Sequence, residues 1–170
     1  MSCRAQAGPV LYVDADGCPV KEEIYRVARR YGLTVYLVAA RVPGNLPKDL
    51  DVRPVAAGTR FDAADNWIAA RTGPGDLVVT SDILLADRCL KAGARVITPR
   101  GDRFTEHNIG SALAGRELRE QLRQMGVPAG GPRPFDRRDR SRFLQTLDEE
   151  VQRFRRLQAR MHRASSVSHR

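Results

Sequence analysis

Residues 10–20, VLYVDADGCPV, place two aspartates, Asp14 and Asp16, between a short apolar run and the start of a helical pattern. The run from Val10 to Val13 is β-branched at both ends and bounded upstream by Gly8-Pro9, which suits a buried strand. Pro19 is suited to the first turn of a helix, where a missing N–H costs nothing. Val20, Ile24, Val27, Ala28 and Tyr31 then recur at helical spacing until Gly32 supplies the stop. Strand, acidic turn and helix in this order open a βαβ unit.

The rest of the chain repeats the alternation. Leu33–Ala40 (LTVYLVAA) reads as a second strand, and Asp51–Val55 as a weaker third whose Pro54 assigns it to an edge. The link between them, RVPGNLPKDL, is too rich in Pro and Gly for a helix. A helix is expected over Asp62–Arg71 with Trp67 and Ile68 on its buried side, then a strand over Leu77–Thr80, a helix over Ile83–Lys91 and a last strand over Arg95–Thr98. Such a series implies right-handed crossovers and an α/β fold: a three-layer α/β/α sandwich around a mostly parallel sheet of about five strands. A helix near Glu106–Met125, a Gly/Pro break and a charged helix from about Asp136 follow. Residues 1–132 thus read as the α/β domain, 133–160 as a basic helix packed on it or extending from it, and 161–170 as a disordered basic tail.

A chain of 170 residues can bury a core without disulfides or structural metal. Cys3, Cys18 and Cys89 are odd in number and form no C-x-x-C pair, which suits reduced thiols in a cytoplasmic protein. No apolar run approaches a membrane span, and the N-terminus lacks a signal-peptide core, so no membrane partner is expected. Formal net charge is +9, of which residues 133–170 contribute +6 through eleven arginines against five acids. That excess suits a nucleic-acid partner, although arginines and acids at three- and four-residue steps also describe a solvated helix. Homo-oligomerisation is left open.

In a parallel sheet the ligand site lies beyond the carboxyl ends of the strands. That rule brings Asp14, Asp16, Asp82 and Arg100 to one edge. Asp62 and Asp65 join them only if the loop before their helix folds over the top. Four or five carboxylates in a partly buried cleft repel one another, and hard oxygen donors of this kind suit Mg²⁺ or Mn²⁺. His107, His162 and His169 have neither zinc-ligand spacing nor a triad partner. Plainer roles exist: Asp62 as N-cap with Asp65 at N3, Asp82 as the cap of the following helix, and Cys18 as packing. Asp87 is a poorer candidate on helical geometry.

The opening stretch is similar to the first motif of haloacid dehalogenase-like phosphatases, which would make Asp14 a nucleophile and Asp16 its acid, with Asp82 and Asp87 as the metal motif. Cys18 stands where that motif has Thr, and the Pro19 helix leaves no room for a flap. A longer resemblance runs through VDADGCPVKEEIYRVARRYGL, FDAADNWIAARTGPGDLVVTSDILLADRCLKAGA, ITPRGDRFTEHNI and RPFDRRDRSRF. Together these blocks resemble the bacterial YaiI/YqxD family of uncharacterised proteins over residues 10 to 150, and that family looks like a member of the PIN-like nuclease superfamily. The resemblance implies a metal-binding acidic cleft that hydrolyses phosphodiester bonds, usually in RNA, with the choice between RNA and DNA left open. Position by position, the PIN pattern's acids fall on Asp14, Asp65 and Asp82, and Asp16 and Asp62 are additional acids in the family's own blocks; Asp14, Asp16, Asp65 and Asp82 are the expected catalytic acids, and these four with Asp62 the expected metal ligands. The glutamate of an early helix in the PIN pattern has only Glu23 as a candidate counterpart. Thr80 and Ser81 are expected to hydrogen-bond a substrate oxygen, and Arg100, with Lys21 and Arg41 behind it, to contact phosphate. A third reading is a non-catalytic nucleic-acid-binding protein.

Overall fold

The computed structural model describes residues 8–128 and 130–167. Its elements are β1 (Val10–Asp14), α1 (Lys21–Tyr31), β2 (Val35–Ala39), β3 (Val52–Ala56), α2 (Ala63–Arg71), β4 (Asp76–Val79), α3 (Ile83–Lys91), β5 (Arg95–Ile97), β6 (Arg103–Phe104), α4 (Ile109–Gln124) and α5 (Arg137–Val167). The sheet has the order β3-β2-β1-β4-β5-β6. Pairings from β3 to β5 are parallel, and β5 with β6 is antiparallel. The architecture is the three-layer α/β/α sandwich, with β6 added to the five strands expected. The two-residue β6 carries no apolar run that a sequence pattern would register.

Alternation along β1 sorts the two faces. Leu11 and Val13 enter the cluster built with Val20, Ile24 and Val27 of the α1 region and Phe143, Leu147 and Val151 of α5. Tyr12 enters the opposite cluster, with Ile68 of α2, Leu85, Ala86 and Cys89 of α3, and Ile109 of α4. Asp14, two residues beyond Tyr12, is therefore on the face that α2 covers. Tyr12 stacks on Tyr36 at 5.1 Å, and Trp67 of α2 tilts against both, which fixes α2 over the centre of the sheet.

Local chemistry sets the helix ends. Gly32 closes α1 in the left-handed conformation (φ 66), as its sequence position suggests. Pro19 is not the first helical residue: α1 begins at Lys21, and the Pro19 carbonyl instead accepts a hydrogen bond from Arg140 of α5 at 2.7 Å. Pro54 lies in β3, at the sheet edge, where its missing N–H is tolerated.

The greatest departure is at the C-terminus. Residues 161–167 continue α5 as helix, and 168–170 lie outside the described residues. Phe143, Leu147 and Val151 supply an apolar face that holds α5 against α1. Its acids pair across elements rather than along the helix. Glu150, nearly buried, binds Arg95 and Arg103, Asp148 binds Arg30 and the Tyr31 hydroxyl, and Asp139 takes Arg100 and Arg133. Among the described residues no helix is long and apolar enough to cross a membrane.

Candidate functional site

β1 and β4 are neighbours, yet the chain leaves them in opposite directions, one toward β2 and the other toward β5. Their carboxyl ends form the crevice where such sheets bind ligands. Asp14 closes β1 there. Thr80, 1% exposed, donates its hydroxyl to Asp14 Oδ2 at 3.0 Å. The same hydroxyl oxygen accepts the Asp82 backbone N–H at 3.0 Å. Asp82 Oδ1 in turn accepts the Leu85 N–H at 3.0 Å and caps α3. One buried threonine thus fixes a carboxylate on β1 to the turn that presents a second carboxylate.

The loop before α2 does fold over this edge. Ala57 and Gly58 donate their N–H groups to the carbonyls of Ala39 and Ala40 at 2.9 and 3.3 Å, tying the loop to the end of β2. Asp62 then turns the chain in the left-handed conformation (φ 62), and α2 brings Asp65 onto the pair. Burial, then the charges of Asp82, Asp14 and Asp62, and then a side-chain hydrogen bond with Asp82 push the Asp65 carboxyl up to about 6. Burial, joined by Asp82 and Asp16, also raises Asp14 against the opposing effect of the Thr80 hydrogen bond. Asp14, Asp65 and Asp82, from three separate elements, are thus near enough for their charges to act on one another.

The flanking acids behave differently. Asp16 is exposed, and its Oδ2 accepts the Ala40 N–H at 2.8 Å, binding the acidic turn to the end of β2. Asp62 occupies the N-cap position without capping: a side-chain cap needs extended backbone, and the left-handed turn withholds it. Asp87 is drawn off to Lys91 at 2.8 Å. Among the described residues no three His, Cys, Asp or Glu side chains are arranged so that all could hold one metal ion.

Two expected substrate contacts are otherwise engaged. The Thr80 hydroxyl positions Asp14 and Asp82 and is buried, so it is not presented to a substrate oxygen. Arg100 is consumed by α5: its guanidinium donates to Asp139 Oδ2 at 3.0 Å and to the Arg133 carbonyl at 2.5 Å. The signal for this partner was an acid 39 residues away, and no local pattern links the two. Ser81 and Arg41 are exposed at the carboxyl edge, and Lys21 begins α1 beside the acidic turn. Glu23 points to α5, pairing with Arg140 at 3.4 Å, with its Oε2 buried and without a hydrogen-bond partner among the described residues. Phe61, just before Asp62, received no role from the sequence, and it is 93% exposed.

A family model described as "Uncharacterized BCR, YaiI/YqxD family" matches residues 12–153. A UPF0178 protein of Bradyrhizobium sp. (strain ORS 278) is 55% identical over 149 residues, covering 88% of this chain and 90% of its own. Similar relatives occur in Rhodopseudomonas palustris (strain BisB18), 53% identical over 146 residues with 86% and 94% covered, and in Nitrobacter winogradskyi, 55% identical over 149 residues with 86% and 92% covered. No solved structure matches.

Proposed function

The chain belongs to the YaiI/YqxD family, and we propose that it is a divalent-metal-dependent nuclease of the PIN-like type that hydrolyses phosphodiesters, RNA before DNA. The observation that carries this reading is the meeting of Asp14, Asp65 and Asp82 at the β1/β4 crevice, with Asp65 pushed up to about 6. Three carboxylates brought together with no basic partner among the described residues are costly, and hard oxygen donors at a ligand crevice suit a cation that neutralises them. Mg²⁺ is held through one or two carboxylates, with water and substrate phosphate completing its shell. The donor set therefore fits although it is not a ready three-ligand cage. Asp14 and Asp82, locked together by Thr80, would hold the ion, with Asp65 beside them. When bound, Mg²⁺ or Mn²⁺ supplies Lewis acidity for water and offsets negative charge on the phosphoryl oxygens.

The chain's own groups do the rest. Thr80 Oγ1 keeps Asp14 Oδ2 in one orientation. Asp65, carried by α2 beside Asp14 and Asp82, is the carboxylate placed to accept a proton from an attacking water. The phosphatase alternative is less well supported. It needs Asp16 free as an acid beside Asp14, whereas Asp16 Oδ2 is held by the Ala40 N–H.

The test is cleavage of a labelled single-stranded RNA with Mn²⁺ or Mg²⁺. Asp14→Asn is expected to lower the rate by about 100-fold or more, since even an outer partner of a metal ligand is worth roughly 10–100-fold, while strand binding persists. Cleavage unaffected by chelator, or an equally active Asp14→Asn, refutes the nuclease. Phosphate release from a small ester through an aspartyl adduct establishes the phosphatase instead, and binding without either activity leaves the binder.

A further inference from the structure

Phe61 has the most accessible of the large apolar side chains among the described residues. Single apolar side chains on a surface are ordinary, so the weight falls on where this one sits and how it is held. It lies in the loop that crosses the acidic edge, four residues before Asp65, and is therefore within roughly 14 Å of it by chain length alone. The backbone on both sides is fixed: the Ala63 N–H donates to the Arg60 carbonyl at 3.2 Å, and the Asn66 N–H to the Asp62 carbonyl at 2.8 Å. Between them Asp62 adopts the left-handed conformation, uncommon outside glycine and concentrated at functional sites.

The charges around Phe61 are sorted. Arg60 adjoins it, and Arg41 emerges from the end of β2, to which the same loop is tied. Both are exposed, and neither forms an ion pair among the described residues, whereas Arg95, Arg100 and Arg103 are all committed to acids. An exposed ring on a fixed stretch of backbone, two uncommitted guanidinium groups and an acid cluster that repels phosphate unless neutralised match one ligand chemistry. The ligand has a flat uncharged π-face and anionic linkages on either side of it. In a duplex those faces are already stacked on one another, while in a single strand they are open.

We propose that Phe61 is the stacking platform for an unpaired nucleobase of a single-stranded nucleic acid, with Arg60 and Arg41 contacting its flanking phosphates. This inference rests on the hydrolytic reading for the identity of the ligand, and it restricts the substrate to unpaired strands. Arg60 and Arg41 give affinity without sequence preference, and Phe61 tolerates every base.

The experiment measures binding of a short fluorescein-labelled single-stranded RNA and of a blunt duplex of the same length by anisotropy. Mn²⁺ is present, and all proteins carry Asp14→Asn so that the strand stays intact. Phe61→Ala, at an exposed position, is expected to weaken single-strand binding by about 5- to 100-fold and to leave duplex binding unchanged. Phe61→Trp is expected to bind as tightly as Phe61, and its extra emission, relative to a chain with only Trp67, to be quenched by the bound strand. Unaltered binding by Phe61→Ala, equal losses for strand and duplex, or no single-strand binding by the Phe61 protein overturns the proposal. A chain with Asp14 that cleaves while Phe61→Ala changes nothing overturns the stacking role alone. Phe61-dependent binding without any cleavage overturns hydrolysis and leaves the stacking role standing.

Discussion

Asp65→Asn is expected to stabilise the protein at pH 8 in chelator while abolishing divalent-dependent cleavage. The folded Asp65 carboxyl is raised from its ordinary 3.8 to about 6. Over that window the native state keeps a proton that the unfolded chain gives up, so stability falls as pH rises from about 4 to 6 and the full penalty stands above it. Two pH units at 1.36 kcal/mol each give a ceiling of about 3 kcal/mol. Screening at a partly exposed carboxylate cuts this to about 1.5 kcal/mol, and losing a negative charge in the first turn of α2 returns about 0.5 kcal/mol. The net gain is about 1 kcal/mol, or roughly 2–4 °C in Tm for a chain of this size. Asn keeps a donor for the hydrogen bond to Asp82. At pH 4 a neutral Asp65 and a neutral Asn are nearly equivalent, so the difference should vanish. Saturating Mn²⁺ should reverse the order, because about ten times the Kd stabilises the intact site by about 1.4 kcal/mol. Urea unfolding at pH 4 and 8, with chelator and with Mn²⁺, reads all three terms. A variant less stable than the parent at pH 8 in chelator, or a difference independent of pH, refutes the opposed-carboxylate account.

Gly101→Ala should cost about 3 kcal/mol, because φ is +85 there and a Cβ would stand 2.7 Å from the Arg142 backbone carbon, which cannot swing aside; a Tm within about 2 °C of the parent would show that α5 is not seated on this turn. Replacing Arg153, Arg156, Arg160 and Arg163 together by Gln should weaken binding of a long single strand and reduce its salt dependence, d log K/d log [salt], by up to about 3. An unaltered slope would separate the distal helix from nucleic acid.

The sheet was readable in the chain because β1, β2, β4 and β5 each carry an apolar run, while Pro54 marks the weaker β3 as an edge strand. Asp14 was assignable for the same reason: it terminates a buried run, and strand alternation leaves it on the face of Tyr12. That Asp65 would meet it followed from the family resemblance and not from spacing, because the encounter depends on how residues 57–62 cross the sheet edge, and that path is set by backbone bonds to Ala39 and Ala40. Thr80 and Arg100 were recognisable as polar groups at the right edge but not by role. A threonine two residues before an aspartate serves a ligand or a neighbouring carboxylate equally well in sequence, and only the buried bond to Asp14 decides.

The basic C-terminal segment shows how a net charge misleads when it is averaged. Between residues 133 and 150 five arginines face five acids, and the structure uses those acids as clamps on Arg30, Arg95, Arg100 and Arg103. All of the +6 therefore lies beyond Val151, where Arg153, Arg156, Arg160 and Arg163 stand without an acid partner among the described residues. At 100° per residue these four fall within about 80° of one another and run about 15 Å along the helix. α5 travels against the strands, from Arg100 at the carboxyl edge to Phe154, which packs beside Gly75 ahead of β4. The arginine stripe consequently begins at the edge of the sheet opposite the acids. Charge placed there can attract and retain a long polyanion but cannot orient the bond being broken. Orientation has to come from groups at the acidic edge, where Arg41, Arg60 and the ring of Phe61 stand uncommitted among the described residues.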